Sequence, residues 1–218
     1  MEALLQTTYF GPVQWYQKLN RYDHCLIEQN DSYHKQTYRN RCVIAAANGP
    51  QTLTVPVEAD GGSALVRDIR ISDHNQWRRI HWNALQSAYS ESPFFDYYAD
   101  DIRPFFEQKY TFLIDFNEAI RQTVCTLLDI HPSVEYTRQF SPLTSHLSPL
   151  TSHLSPLTSH LLPLRDFRQV IDAKHPLADP DFQPREYWQV FARKHGFLPN
   201  LSILDLLFCM GPEAIFYL

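Results

Sequence analysis

Near its start the chain reads ALLQTTYFGPVQWYQKL (residues 3–19) and then DHCLIE (residues 23–28), the two stretches that decide its fold. The apolar run Ala3–Leu5 is too short for a helix and predicts a buried strand. Pro12 suits the first position of a helix, because its missing N–H costs nothing there. Apolar residues then recur at helical spacing from Val13 to Leu19. Since the second stretch predicts another strand, the start of the chain predicts a compact strand–helix–strand unit.

The ends of these two strands predict a binding edge. In open α/β sheets, ligands bind just beyond the carboxyl ends of the strands. Gln6 and Tyr9 follow the first strand, and Glu28–Asn30 follows the second. A polar side chain at such an edge can hydrogen-bond an amide, hydroxyl or phosphate of a ligand. The competing interpretation is that Gln6 satisfies loop backbone groups and Tyr9 packs in the core.

Two β-rich runs, Thr37–Ile44 and Leu53–Val57, flank an Asn-Gly-Pro turn and predict a hairpin. If Arg39, Asn40 and Arg41 lie in the first arm, the two arginines share one face and Asn40 points to the other. Two guanidinium groups on one face suit a phosphate or a carboxylate, which arginine binds bidentately. The alternative is a solvated arm that forms ordinary ion pairs.

The second half of the chain is dominated by helical patterns. A further strand is predicted at Leu65–Ile71, and apolar residues recur with helical period from Trp77 to Ala88 and from Leu113 to Leu128. Arg165–Ile171 predicts a short returning strand. Ser202 and Asp205 have capping-box spacing before the apolar run 203–208. The fold class predicted is α/β, with a small N-terminal sheet, including the βαβ unit and hairpin, packed by a helical C-terminal half.

Residues 141–161 are three identical copies of the heptapeptide SPLTSHL. A proline at every seventh position forbids a continuous helix, and this composition cannot form a core of its own. We therefore predict one domain over residues 1–218, with an exposed low-complexity insert at 141–164 whose removal costs little stability.

The composition excludes several classes of function. The net charge of −5 argues against general nucleic-acid binding. No apolar run approaches the roughly 18 residues needed to span a membrane, and the N-terminus lacks a signal-peptide pattern. Four widely spaced cysteines without a CxxC pair predict a reduced, cytoplasmic protein. Nucleotide-binding glycine loops and the HExxH motif are absent, and no metal ligands and no cofactor are identified.

His81 is the candidate acid–base residue. It lies one helical turn after Trp77 and beside Trp82. Histidine changes charge near neutral pH and serves most often as a general acid or base. The alternative is that His81 is a structural residue beside an apolar helix face.

The segments just described, taken together, resemble the WbqC-like family of bacterial proteins. The resemblance rests on QTTYFGP (6–12), YRNR (38–41), LTVPV (53–57), the helix with His81-Trp82, SPFF (92–95) and residues 196–211, in the family's order. Many members carry a His-Gln-Pro triplet where this chain has Leu5-Gln6-Thr7, so one candidate general base is missing. The heptapeptide repeat also departs from the family.

The resemblance implies a role in assembling O-antigen or other surface polysaccharides. It implies a transferase that moves an acyl or aminoacyl group, with glycyl as one candidate, from an activated donor to a sugar. Gln6, Tyr9, Arg39, Asn40 and Arg41 would bind this small-molecule substrate, and His81 would be catalytic. A non-catalytic ligand-binding or assembly protein of the same pathway and a nucleotide-handling transferase remain the alternatives.

Overall fold

A computed structural model describes residues 1–58, 64–142 and 164–218 and has the predicted α/β fold. Its strands are β1 (Glu2–Gln6), β2 (His24–Glu28), β3 (Arg41–Ala46), β4 (Gly49–Thr54), β5 (Val57–Glu58), β6 (Arg70–Ile71), β7 (Val134–Tyr136) and β8 (Leu164–Asp166). Its α-helices are α1 (Val13–Arg21), α2 (Trp77–Tyr89), α3 (Phe95–Ile102), α4 (Pro104–Glu107), α5 (Leu113–Leu127), α6 (Ala192–His195) and α7 (Ile203–Met210).

A parallel four-stranded sheet forms the centre of the fold, in the order β7-β2-β1-β8. The predicted strand–helix–strand unit is confirmed as β1, α1 and β2, with Gln6 opposite Glu28 at the carboxyl edge. Ala3, Leu4 and Leu5 are almost fully buried, as expected of a strand covered on both faces. Because all four strands run the same way, their carboxyl ends meet at one edge.

Helix α1 is buried on more than its apolar face. Every residue from Val13 to Leu19 is buried, including Lys18. The Lys18 ammonium lies 2.6 Å from a carboxylate oxygen of Asp179 and 4.8 Å from the ring centroid of Phe167. A buried charge needs such a partner, so this ion pair fixes the segment after β8 against α1.

The predicted hairpin is confirmed as β3 and β4, but its first arm is shorter than expected. The strand starts at Arg41, and residues 38–40 form a turn. The prediction that Arg39 and Arg41 lie on one face of a strand is therefore wrong. The Asn40 carbonyl instead accepts from the backbone of Val55, which turns the chain into the hairpin.

Residues 65–71 are not one strand. Val66–Asp68 forms a 3₁₀ turn, and only Arg70–Ile71 pairs as a strand, with β5. The N–H groups of Val66 and Arg67 donate to carbonyls of Asp31 and Gln29 in the segment after β2. Because these two N–H groups already donate to the segment after β2, they do not pair with a neighbouring strand. The returning strand predicted at 165–171 is likewise shorter, since β8 ends at Asp166.

The connection from β7 to β8 contains the heptapeptide repeat. Residues 143–163, which carry most of the predicted insert at 141–164, lie outside the described residues, and the single-domain prediction stays a prediction. Both ends of the connection are described. The Ser141 N–H donates to Glu28, Arg168 donates to the carbonyls of Ser141 and Pro142, and Leu164 begins β8.

The four cysteines are free thiols, and all four are buried. They lie in the core with the apolar residues of both halves of the chain, where burial raises the pKa of Cys25 to about 12. In the described parts of the chain, no helix combines the length and apolar character needed to cross a membrane.

Candidate functional site

A cleft of about 450 Å³ opens at the carboxyl edge of the central sheet. It is bounded by the end of β1, by residues 31–39 after β2 and by residues 168–177 after β8. This is the edge where an open parallel sheet places its ligands. The cleft is lined by Gln6, Asp31, His34, Thr37, Arg39, Arg168, Gln169, Asp172, His175 and Leu177.

Gln6 and Arg39 contribute buried polar groups to this cleft. Gln6 is 2% exposed, and its side-chain amide donates to the carbonyl of Ile171, which ties β1 to the segment after β8. Arg39 is 4% exposed and donates through one terminal nitrogen, Nη2, to Asp31 at 2.8 Å.

The guanidinium of Arg39 is only partly satisfied. Its Nε is buried and has no hydrogen-bond partner among the described residues. Burial lowers the pKa of Arg39, and the Asp31 carboxylate acts against that shift. A bound anion would supply the acceptors that a buried guanidinium lacks. Of the groups that line the cleft, the Arg39 guanidinium is therefore the one whose unused donor best suits an anion.

Arg168 is fully engaged with the protein. It donates to both carboxylate oxygens of Asp166, to Glu28 and to the carbonyls of Ser141 and Pro142. Glu28, which is 0% exposed, also accepts hydrogen bonds from the backbone N–H groups of Asn30 and Ser141 and from the Thr137 hydroxyl. This cluster holds the ends of β2, β7 and β8 together and so supports the wall of the cleft.

The rim of the cleft carries the groups that can move protons. Asp31 and Asp172 are half-buried, and the imidazoles of His34 and His175 are exposed. The Asp172 carboxylate accepts from the backbone N–H groups of Lys174 and His175, which shapes this side of the rim. Within residues 1–58, 64–142 and 164–218 there is no group of three or more histidine, cysteine and acidic side chains suited to a metal ion.

Tyr9 and His81 lie together, but not in this cleft. The Tyr9 hydroxyl and His81 Nδ1 are 2.8 Å apart, Tyr9 is 0% exposed and His81 is 4% exposed. The imidazole packs against the rings of Trp77 and Phe106. Burial lowers the pKa of His81 to about 4 and raises the pKa of Tyr9. The imidazole is therefore neutral at pH 7, and its surroundings are those of a core residue.

Asn40 and Arg41 also lie outside the cleft lining. The Asn40 side-chain amide donates to the Val55 carbonyl at 2.8 Å, which is a structural bond of the hairpin. Arg41 is half-buried. Of the predicted site residues, the structure thus brings Gln6 and Arg39 together in the cleft and separates Tyr9, Asn40, Arg41 and His81 from it.

Sequence reasoning missed most of the rim. The strand-end rule reached residues 28–30 but stopped short of Asp31, His34 and Thr37, which follow directly. Asp172 and His175 could not be found in the same way, because nothing local indicates that β8 pairs with β1. A larger hollow of about 730 Å³ lies beside the β3–β4 turn, but no ionisable side chain lines it.

Comparisons with known proteins agree with the sequence resemblance. The chain is 29% identical over 228 residues to "Uncharacterized protein Rv1507c" of Mycobacterium tuberculosis (strain ATCC 25618 / H37Rv), covering 99% of this chain and 96% of that protein. No solved structure matches the chain. The family model described as "WbqC-like protein family" matches residues 6–217. The chain therefore belongs to the WbqC-like protein family.

Proposed function

We propose that this protein is a cytoplasmic transferase that moves an acyl or aminoacyl group onto a sugar in the assembly of surface polysaccharides. The observation that carries the proposal is the cleft at the sheet edge, in which Arg39 keeps a buried donor without a partner among the described residues. The pathway and the acyl chemistry are supported by the family resemblance alone.

An aminoacyl group matches the charges that line the cleft. The free donors of Arg39 suit a carboxylate, a phosphate or the oxygen of an activated acyl group. Asp172, on the rim, suits a positively charged amine, since its carboxylate accepts only two backbone N–H bonds among the described contacts. The Gln6 carbonyl oxygen adds an acceptor, because its amide group already donates to the protein.

The transfer step needs a base, and the rim supplies two imidazoles, His34 and His175. A sugar hydroxyl or amine would attack the acyl carbon while one imidazole accepts its proton. The bond between the acyl carbon and its leaving group then breaks, and the leaving group departs with the electron pair. Stabilisation of the developing oxyanion by Arg39 would favour this step.

Direct transfer fits the residues present. The described cleft lining contains no serine or cysteine, and its one hydroxyl, that of Thr37, already donates to the His34 carbonyl. The same observation favours a second candidate, a protein that binds the substrate without transforming it. A nucleotide-handling role at the start of α1 has less support, because the first N–H groups of that helix already donate to the Leu201 carbonyl and the Asn200 side chain.

A thermal-shift screen tests the cleft against amino acids, acyl-coenzyme A compounds and nucleotide sugars. We expect at least one class to raise the melting temperature. Asp172→Asn and His175→Ala lie on the rim and should reduce that shift by more than half. His131→Ala is the matched control, because His131 is 83% exposed in its side chain and lies outside the cleft.

Mass spectrometry separates the two candidate functions. With the ligand found in the screen and a sugar acceptor, a transferase yields an acylated sugar, and His34→Asn or His175→Asn lowers its rate at least about tenfold. Ligand binding without any product would favour the non-catalytic candidate. If no ligand stabilises the protein, or if the rim variants respond like His131→Ala, the cleft is not the site.

A further inference from the structure

A second concave surface lies between the start of α2 and α4, and it shares no residue with the sheet-edge cleft. Its volume is about 360 Å³. We call it the arginine cleft and define it by its lining residues, which are Gln76, Arg78, Arg79, Trp82, Arg103, Phe106 and Glu107.

The arginine cleft is positively charged, although the chain as a whole carries −5. Three arginines and one carboxylate line it; that carboxylate, of Glu107, accepts from Arg103 at 2.6 Å, and the Asp73 carboxylate outside the lining pairs with Arg78. Arg79 is exposed and forms no ion pair with any described residue. Three arginines around one hollow match the acceptor-rich oxygens of a phosphate group.

Arg78 adds a buried donor. Its side chain is 14% exposed and pairs with Asp73 through Nη1, yet its Nε is buried without a hydrogen-bond partner among the described residues. The guanidinium also lies 4.6 Å from the centroid of the Trp77 ring, a contact that further restrains the side chain. An oriented guanidinium with an unused donor loses little conformational freedom when it binds an anion.

The local backbone reinforces the preference for an anion. Arg78 and Arg79 are in the first turn of α2, which has no acidic residue and no side-chain cap. Cations at the positive end of a helix dipole are unfavourable, and a bound anion would reverse this effect. Asn75 and Gln76 precede the helix with φ values of 62° and 48°, a left-handed conformation that costs non-glycine residues energy.

One wall of the arginine cleft is aromatic. Phe106 is 7% exposed and Trp82 is half-buried, with their ring centroids 5.7 Å apart. The indole N–H of Trp82, a lining residue, has no partner among the described hydrogen bonds. A ligand that fits both walls carries phosphate oxygens at one end and a flat ring at the other.

We propose that the arginine cleft binds a nucleoside diphosphate group. The phosphates contact Arg78, Arg79 and Arg103, and the ring lies against Trp82. The proposal does not depend on the function assigned to the sheet-edge cleft, because the two sites have no side chain in common.

Isothermal titration calorimetry of the full chain with adenosine diphosphate and uridine diphosphate tests this proposal. We expect at least one of them to bind at low ionic strength. Inorganic pyrophosphate should bind at least about fivefold more weakly, because it lacks the ring. The matching nucleoside, which lacks phosphate, should give no measurable heat. Raising the salt concentration should weaken binding, as for any contact between exposed charges.

Single substitutions then locate the site. Arg79→Ala and Arg103→Ala should each weaken binding at least about tenfold, through the loss of a charge-assisted contact. Trp82→Leu should bring the affinity close to that of pyrophosphate. Arg193→Ala is the matched control, since it removes the same charge from the exposed surface of α6, and it should change the affinity less than twofold.

Three results would overturn the proposal. They are no heat from either diphosphate at millimolar concentration, equal affinities for pyrophosphate and the diphosphates, and wild-type affinity in both arginine variants. Circular dichroism of each variant establishes that it is folded, so that lost binding is not mistaken for lost structure. Arg79 and Arg103 are exposed, and truncating them removes no core contact.

Discussion

At the scale of single residues, His81 shows how burial decides chemistry. Its imidazole is buried, and burial lowers its pKa to about 4, whereas an unfolded histidine has a pKa of about 6.5. Between about pH 4 and pH 6.5, the His81 imidazole is therefore mostly protonated in the unfolded state and mostly neutral in the native state. Between pH 7 and pH 5 this residue alone should reduce the free energy of unfolding by about 2 kcal/mol.

Urea unfolding at pH 7 and pH 5 measures this effect. His81→Gln cannot titrate but keeps a polar group near the Tyr9 hydroxyl. We expect the variant to lose about 2 kcal/mol less than the wild type over this pH range. If the wild type and the variant lose the same free energy of unfolding, His81 is protonated in the native state at pH 5 and accessible to solvent. It would then again be a candidate acid–base residue.

Asp205 is a second residue with a structural role that its sequence pattern does not predict. The capping-box spacing predicted a local bond, and Ser202 does cap the N–H of Leu204. The Asp205 carboxylate, however, is 0% exposed and accepts from Tyr89, Tyr187 and Gln189, at 2.8, 2.7 and 2.9 Å. It thus joins α2, α7 and the segment before α6.

Replacing Asp205 with asparagine should lower the free energy of unfolding by about 3 kcal/mol. The amide substitutes a donor for one acceptor oxygen, so at least one buried donor loses its partner. Chemical denaturation of Asp205→Asn measures the loss. Asp115→Asn, at an exposed position in the first turn of α5, serves as the matched control and should change stability by less than about 1 kcal/mol. Equal stabilities for the two variants would contradict the role given to Asp205.

At the scale of elements, patterns within one segment predicted the structure well, and patterns that depended on a distant partner did not. The unit β1–α1–β2 was predicted because the spacing of the apolar residues and the position of Pro12 both indicate a helix between two short strands. Residues 38–40 were misassigned because β-rich composition does not show where pairing begins. Their actual turn conformation depends on backbone bonds to Tyr9 and Val55, which no local pattern records.

The end of α7 allows a sharp test at this scale. Gly211 has φ 57°, and a Cβ added there would lie 2.6 Å from atoms of the Phe94 ring. Gly211→Ala should therefore suffer both backbone strain and overpacking, about 2 to 5 kcal/mol in total. Thermal or chemical denaturation measures the loss.

Gly196 provides the control. Its φ is 71°, but no atom lies within 4 Å of an added Cβ, so Gly196→Ala should show backbone strain alone, about 1 to 3 kcal/mol. Phe94→Leu in the Gly211→Ala background should recover part of the difference between the two variants. If the two alanine variants lose the same stability, the Phe94 ring moves aside and contributes nothing.

At the scale of the whole molecule, the sheet is assembled from segments far apart in the chain. β1 and β2 are close in sequence, but β7 and β8 join them from residues 134–136 and 164–166. This pairing brings Asp172 and His175 to the same cleft as Gln6. The edge of the site was predictable because parallel strands share one carboxyl edge. Its full set of side chains was not, since strand order is a long-range property.

Strand order also changes what we expect of the heptapeptide repeat. The connection from Tyr136 to Leu164 must pass from β7 to β8, which are three strand spacings apart, or about 14 Å, and must return to the start of β8. Deleting residues 141–161 would leave only residues 137–140 and 162–163 between β7 and β8, which span at most about 20 Å, and would remove the Ser141 contacts to Glu28 and Arg168. The expectation that this whole segment can be removed at little cost is therefore revised.

Deleting one copy, residues 148–154, should be tolerated instead. Fourteen residues then remain between Pro142 and Leu164, enough to reach more than 40 Å when extended. The change in loop-closure entropy is below about 0.5 kcal/mol. Urea unfolding should show near wild-type stability for this deletion and a large loss when residues 141–161 are removed. Wild-type stability after the longer deletion would show that the Ser141 contacts contribute little and that the shortened connection still reaches β8, whereas a large loss after the shorter deletion would show that the repeat itself packs against the fold.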